Sequence, residues 1–184
     1  MPILRAETSV FPENLLQDLP PGDARQWWVL YTKARQEKSI SRDLLALQIP
    51  FYLPLVKKTA RTRGRTVHSF VPLFSGYVFL FGSEQERVRS LTTNRVSRVI
   101  SVADSQRLVF DLRQLHQLIA ADAPLTVEAR LEPGDRVRVR QGPLLGLEGT
   151  VLVRRNRTRL LIAVDFLQQG ASVEIDDFLL EPLN

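Results

Sequence analysis

The chain has no cysteine and only two histidines. The first absence excludes a disulfide framework and any thiolate metal site. His68 and His116 fall in different expected elements, with no carboxylate at ligand spacing, so no metal site is argued. No glycine-rich loop leads into a helix with a lysine, which removes the usual nucleotide phosphate cradle. The Asp176–Asp177 pair lies beside an expected strand and reads as a turn cap, not as a dyad. No nucleophile is paired with a base. The expectation is a protein that is not an enzyme and needs no cofactor. No stretch of eighteen apolar residues occurs, so no helical membrane span is expected. The first residues lack the basic-then-apolar pattern of a signal peptide. A cytoplasmic monomer with no membrane partner fits these absences.

What is present is basic charge and enough apolar residues for real cores. Of 184 residues 44% are hydrophobic, and the formal net charge is +5; that length holds one or two modest domains. Lys57, Lys58, Arg61, Arg63 and Arg65 share one stretch without an acid. Arg136, Arg138 and Arg140 form a second cluster, and Arg154, Arg155, Arg157 and Arg159 a third. Any one cluster reads equally well as a solvated face. Three in one small protein point to a polyanionic partner.

The centre of the pattern is Pro72–Gly82. Tyr77–Phe81 is continuously apolar, as in a strand covered on both faces, and Gly76 marks a kink at its start. Phe74, Tyr77 and Phe79 crowd this element. They read either as core or as the walls of a docking depression. Residues 1–25 carry four of the chain's prolines and no sustained period, and read as an extension. Trp27–Tyr31 is an expected strand and Gln36–Gln48 an amphipathic helix stopped by Pro50. Phe51–Val56 and Thr66–Phe70 are further strands, forming a long hairpin with the basic stretch at its tip. Ser83 and Glu86 make a capping box for a helix whose Val88 and Leu91 are expected to face inward. Ser97–Val102 is an edge strand, and Gln106–Ala121 is a helix with Leu108, Leu112, Leu115 and Ile119 in one stripe. This order gives an α+β domain over 26–122. Residues 123–130 read as a linker. From 131 to 184 short strands and turn glycines 142, 146 and 149 describe a small five-stranded barrel.

Two motifs carry a family resemblance. Trp27-Trp28-Val29-Leu30-Tyr31-Thr32-Lys33, followed by the helix and by Val71-Pro72-Leu73-Phe74-Ser75-Gly76-Tyr77-Val78-Phe79, resembles the N-terminal (NGN) domain of the NusG family. Ser75 stands where that family's Phe-Pro-Gly-Tyr has proline. Gly142-Pro143-Leu144-Leu145-Gly146-Leu147-Glu148-Gly149-Thr150-Val151 looks like a KOW motif, with Val164–Leu167 and Val173–Asp176 similar to the rest of a KOW barrel. The basic hairpin looks closer to the RfaH-like branch.

The resemblance implies a transcription elongation or antitermination factor. It implies that the NGN domain grips the clamp helices of the RNA polymerase β′ subunit through Tyr31, Phe74, Tyr77 and Phe79. Positions matching Lys33, Thr93 and Asn94 meet non-template DNA in the RfaH-like branch, and Arg95, counted with them as a nucleic-acid contact, stands in this chain where that branch has glycine. The hairpin residues Lys57, Lys58, Arg61, Arg63 and Arg65 would lie near upstream DNA. The barrel would recruit a small-subunit ribosomal protein or the Rho helicase through Leu144, Phe166 and Leu167. Refolding of the barrel into helices, as in RfaH, is opposed by its glycines and β-branched residues. The alternative is a free-standing KOW-type RNA-binding module associated with the ribosome.

Overall fold

A computed structural model describes residues 7–17, 24–62, 64–130 and 134–183. The chain divides into two compact units, Met1–Ser105 and Gln106–Asn184.

The first unit is a five-stranded antiparallel sheet with two helices and a projecting hairpin. The strands are β1 (Val10–Phe11), β2 (Gln26–Thr32), β3 (Phe51–Tyr52), β6 (Tyr77–Gly82) and β7 (Val96–Ser101), ordered β1-β3-β6-β2-β7. β6, the expected central strand, sits in the middle and pairs with β2 from Gln26↔Gly82 to Tyr31↔Tyr77. Alternation along the strands gives two unlike faces. Trp28, Leu30, Val78 and Leu80 form one core with Ile40 and Leu44 of α1 (Glu37–Ala46). Burying each such side chain contributes about 1.5–3 kcal/mol. The opposite face is aromatic. Trp27 and Phe81 lie 5.4 Å apart, Tyr52 and Phe79 6.4 Å, and Tyr31 and Tyr77 5.2 Å, by ring centroids.

α1 stops where its sequence says it should. Gln48 takes a left-handed φ of 56° and Pro50 follows. The Ser83 box opens α2 (Glu84–Thr92): Ser83 N–H donates to Glu86 Oε2 at 2.7 Å and Glu86 N–H to Ser83 Oγ at 3.3 Å. Arg25 reinforces it from outside at 3.1 Å. Val88 and Leu91 are nevertheless exposed, and Ser90 is the buried residue of α2. A nine-residue helix with two apolar residues three apart does not fix which side is covered.

Part of the N-terminal stretch is built into this unit. β1 pairs with β3, Phe11 packs at 6.5 Å from Phe51, and Leu15 and Leu16 are buried. β4 (Leu55–Thr62) and β5 (Arg65–Pro72) pair throughout, from Leu55↔Pro72 to Thr62↔Arg65. The basic stretch is therefore paired strand and not a loop at a tip. Gly64, at φ 76°, leads into β5.

The second unit is a six-stranded antiparallel sheet ordered β13-β9-β10-β11-β12-β8. Its strands are β8 (Leu125–Glu128), β9 (Arg136–Val139), β10 (Glu148–Arg154), β11 (Arg157–Val164), β12 (Gln169–Glu174) and β13 (Leu180–Pro182). Six strands replace the five expected, because β8 lies in the segment read as a linker and pairs with β12. α3 (Ser105–Ala120), read as the last element of the first domain, groups with this unit. The Gln114 amide donates to Glu148 O at 2.6 Å and accepts from Glu148 N–H at 2.9 Å. Gln117 reaches Leu145 O at 3.0 Å, and Asp111 accepts from Asp165 N–H at 3.0 Å. The leucine stripe identified a helix, whereas these polar residues identify what it binds. No helix among the described residues is long and apolar enough to cross a membrane.

Candidate functional site

The entrance to β6 is a tight turn. Tyr77 N–H donates to Phe74 O at 3.2 Å, and Gly76 has φ 86°. A left-handed residue third in a four-residue turn is the type II pattern, which favours proline second and glycine third. Ser75 therefore occupies the proline position of a turn that tolerates serine. Gly76 is held on both sides. Its N–H donates to Glu37 Oε1 at 2.7 Å, and its carbonyl accepts from Thr32 N–H at 2.8 Å. A Cβ on Gly76 would stand 3.0 Å from Tyr31 Cε2. Glycine is required here by conformation and by the ring beside it.

The turn presents an aromatic pair at the edge of the buried face. Tyr31 is 38% exposed and Tyr77 is half-buried. Arg98, across β7 from Tyr31, places its guanidinium carbon 5.8 Å from that ring. Tyr77, Tyr31 and Arg98 thus form one row over three neighbouring strands. Phe74 and Phe79 are different: they are 1% and 0% exposed. Their expected role as contact residues is corrected to one of support. Continuous apolar sequence cannot distinguish a ring under the surface from a ring in it. Sequence reading singled out neither Glu37, an acid in the first turn of α1, nor Arg98.

A second grouping joins residues 61 apart in the chain. Lys33 Nζ donates to Asn94 Oδ1 at 2.7 Å, and Lys33 N–H to Arg95 O at 2.8 Å. Asn94 holds a left-handed φ of 58°, which asparagine tolerates. Thr93 donates its hydroxyl to Ser90 O at 2.7 Å. Arg95 is engaged elsewhere, bonded to Asp43 at 2.5 Å and to Gln36 at 2.7 Å, and acts as a strut to α1. Lys33 and Asn94 remain exposed together; Arg95 does not present its charge.

The hairpin arm is basic along its length. Lys57, Lys58, Arg61 and Arg65 are all exposed, and no acid occurs from 57 to 72. Arg63 lies outside the described residues. The other two basic clusters are met by acids across the sheet. Arg138 pairs with Glu148 at 2.5 Å, Arg154 with Glu128 at 3.0 Å and Arg157 with Glu174 at 2.6 Å. Arg159 bonds Ser172 and Thr126, and Arg140 bonds Phe178 O. Their arginines are largely cross-strand partners.

In the second unit Leu144 is buried, while Phe166 and Leu167 are half-buried in a short turn after β11. Leu145, its neighbour, is 58% exposed. The apolar contact expected of Leu144 is therefore unavailable from that side chain, and Leu145 is the residue that faces out. Burial pushes the Asp111 carboxyl up to about 6, against the downward pull of Asp165 N–H and Arg107. Among the described residues, no group of His, Asp or Glu side chains could hold a metal ion.

A family model described as transcription termination factor NusG matches residues 25–117. A search of curated proteins finds no match to the chain. The match spans half of the sequence and covers the aromatic sheet, the Gly76 turn and the arm. The chain belongs to the NusG family of transcription elongation and termination factors.

Proposed function

We propose that the first unit grips the clamp helices of the RNA polymerase β′ subunit through the Tyr31–Tyr77 pair, suppressing pausing or modulating termination. The observation that carries this reading is an aromatic pair held partly in solvent by a glycine turn with no other evident use. A coiled-coil tip offers apolar side chains that such a surface can receive. Phe74 and Phe79 are core residues of the same unit. A factor that binds the closed clamp better than the open one shifts the population toward the closed, processive state.

The same docking would bring the arm residues Lys57, Lys58, Arg61 and Arg65, with Arg63, to upstream DNA. The Lys33–Asn94 pair would face the non-template strand, as expected of an RfaH-like specialised member. The second unit would act as a KOW barrel that recruits a small-subunit ribosomal protein or Rho. Phe166, Leu167 and the exposed Leu145 are its apolar contacts, beside the buried Leu144. The functional division keeps the polymerase-binding module, from about residue 26, distinct from the KOW module ending at 184. The protein would work as a cytoplasmic monomer without catalysis or a cofactor. The competing reading, a free-standing RNA-binding module, is weakened by the ion pairs that occupy the arginines of the second unit.

The test is co-purification of the tagged full chain with core RNA polymerase after nuclease treatment, wild type beside Tyr77→Ala. Nuclease-resistant capture of wild type, reduced about tenfold or more in the variant, is expected of a hot spot. Capture that disappears with nuclease, or that Tyr77→Ala leaves unchanged, would refute polymerase docking through this pair.

A further inference from the structure

The arm has two unlike faces, and only one of them carries rings. Residues directly opposite in an antiparallel pair share a face. Lys57↔Phe70, Thr59↔His68 and Arg61↔Thr66 make one face; Lys58↔Ser69 and Ala60↔Val67 lie on the other. Phe70 is 47% exposed, on a two-stranded ribbon that shares no strand with either larger sheet. His68 is exposed two residues along, and Thr59 Oγ1 lies 2.9 Å from its Nδ1, fixing the ring's direction.

Two residues of strand advance about 6.8 Å. That is about twice the ~3.4 Å rise between stacked bases. The two positions thus have the spacing of two rings with one planar base between them. Lys57 and Arg61 flank this slot on the same face, at the positions where the phosphates on either side of such a base would run. The absence of acid along the arm makes a polyanion the complementary occupant.

We infer that this face of the arm holds unpaired nucleotides, with one base stacked between Phe70 and His68 and its phosphates on Lys57 and Arg61. The inference deepens the nucleic-acid reading of the arm and rests on it: a basic arm could grip a duplex backbone by charge alone, whereas this face is shaped for a base removed from the helix. The ligand class is single-stranded nucleic acid, and the chemistry is shared by DNA and RNA. Stacking tolerates any base sequence, so the slot reads strandedness, not sequence.

The test uses the full chain, without polymerase, and fluorescence anisotropy at low salt. The probes are a labelled oligothymidylate of twelve nucleotides, an oligouridylate of the same length, an abasic oligomer with the same phosphates, and a twelve-base-pair DNA duplex. Phe70→Leu keeps apolar bulk and removes the ring. It should weaken oligothymidylate binding about 5- to 100-fold, as expected for loss of a base–aromatic stack, and leave the abasic oligomer and the duplex unchanged. His68→Ala should act in the same direction, and 2-aminopurine placed in the strand should be quenched by wild type but not by Phe70→Leu. Tighter binding of one single strand than the other would assign DNA or RNA as the source.

Two results would overturn the inference while leaving the arm a candidate nucleic-acid contact. The first is equal loss on base-containing and abasic oligomers. The second is a Phe70→Leu variant that binds oligothymidylate like wild type while Lys58→Gln and Arg61→Gln still weaken it; the arm would then be a nucleic-acid contact without a base slot. If no probe binds at all, the arm reading and the slot fail together, while polymerase capture through Tyr77 remains a separate measurement. Because Phe70 and His68 are exposed, an unchanged unfolding midpoint is expected for both variants.

Discussion

Gly76→Ala is the most informative single change, because the turn and the aromatic pair both depend on that residue. The backbone term comes first. A left-handed conformation costs an L-residue about 1–2 kcal/mol. Alanine also restricts the unfolded chain, which returns about 0.4–1 kcal/mol. The contact term comes second. The new methyl would lie 3.0 Å from Tyr31 Cε2, inside the ~3.5–4.0 Å at which carbon atoms rest. The ring must withdraw by several tenths of an ångström and lose part of its pairing with Tyr77, a contact of about 0.5–1.5 kcal/mol. Together the expected loss is about 0.5–3 kcal/mol. Trp27 and Trp28 are both buried in the same sheet, so guanidinium unfolding followed by tryptophan fluorescence reads this unit directly. The two terms separate in a double-mutant cycle with Tyr31→Ala. Without the ring the backbone strain persists and the clash disappears, giving a coupling of about 0.5–1.5 kcal/mol. A cycle with no coupling would refute the claim that Gly76 makes room for the Tyr31 ring.

Ser75→Pro should stabilise the first unit by about 0.5–1 kcal/mol, since proline presets the second position of a type II turn, and the guanidinium midpoint reports it. Asp111 titrates upward because burial disfavours its charged form, helped by the Asp165 carboxylate and opposed by Asp165 N–H, Arg107 and Arg136. A carboxyl whose folded pKa exceeds its unfolded value binds its proton more tightly when folded, so the second unit should gain stability as pH falls through about 6 toward 4. Urea midpoints by circular dichroism at about pH 7 and pH 5 should show that gain in wild type and lose it in Asp111→Asn; a gain of equal size in the variant would reassign the titration. Lys58→Gln and Arg61→Gln should each lower the slope of log affinity against log salt by about 0.7 on single strands, and an unchanged slope would reduce the arm to a solvated ribbon.

Much of the first unit was legible because its signals are local. The Ser83–Glu86 box, the Pro50 stop and the apolar run of β6 each state a structure in a few residues. The glycine at 76 announced a kink, and the Tyr31–Tyr77 pair follows from β2 and β6 being neighbours. Depth was not legible. Phe74 and Tyr77 are three residues apart and equally aromatic, yet one is core and the other half-exposed, because the type II turn reverses the chain between them. Leu144 and Leu145 make the same point in the second unit. Partner choice was not legible either. The α3 stripe gave a helix, but its attachment to the second unit runs through Asp111, Gln114 and Gln117, whose bonds to backbone groups far along the chain leave no periodic trace. The arginine clusters misled because their acids lie on other strands: Glu148 and Glu174 on the next strand in sequence from Arg138 and Arg157, and Glu128 two strands before Arg154.

The central claim is that the Tyr31–Tyr77 rim is the polymerase contact. The most direct test replaces Tyr77 with a photo-crosslinking phenylalanine analogue in the full chain and irradiates it with a reconstituted, nuclease-trimmed elongation complex. The account expects an adduct to the β′ subunit, mapping to a helical coiled-coil tip and suppressed by Gly76→Ala. An adduct confined to nucleic acid, or none from position 77 while the chain still binds the complex, would contradict it.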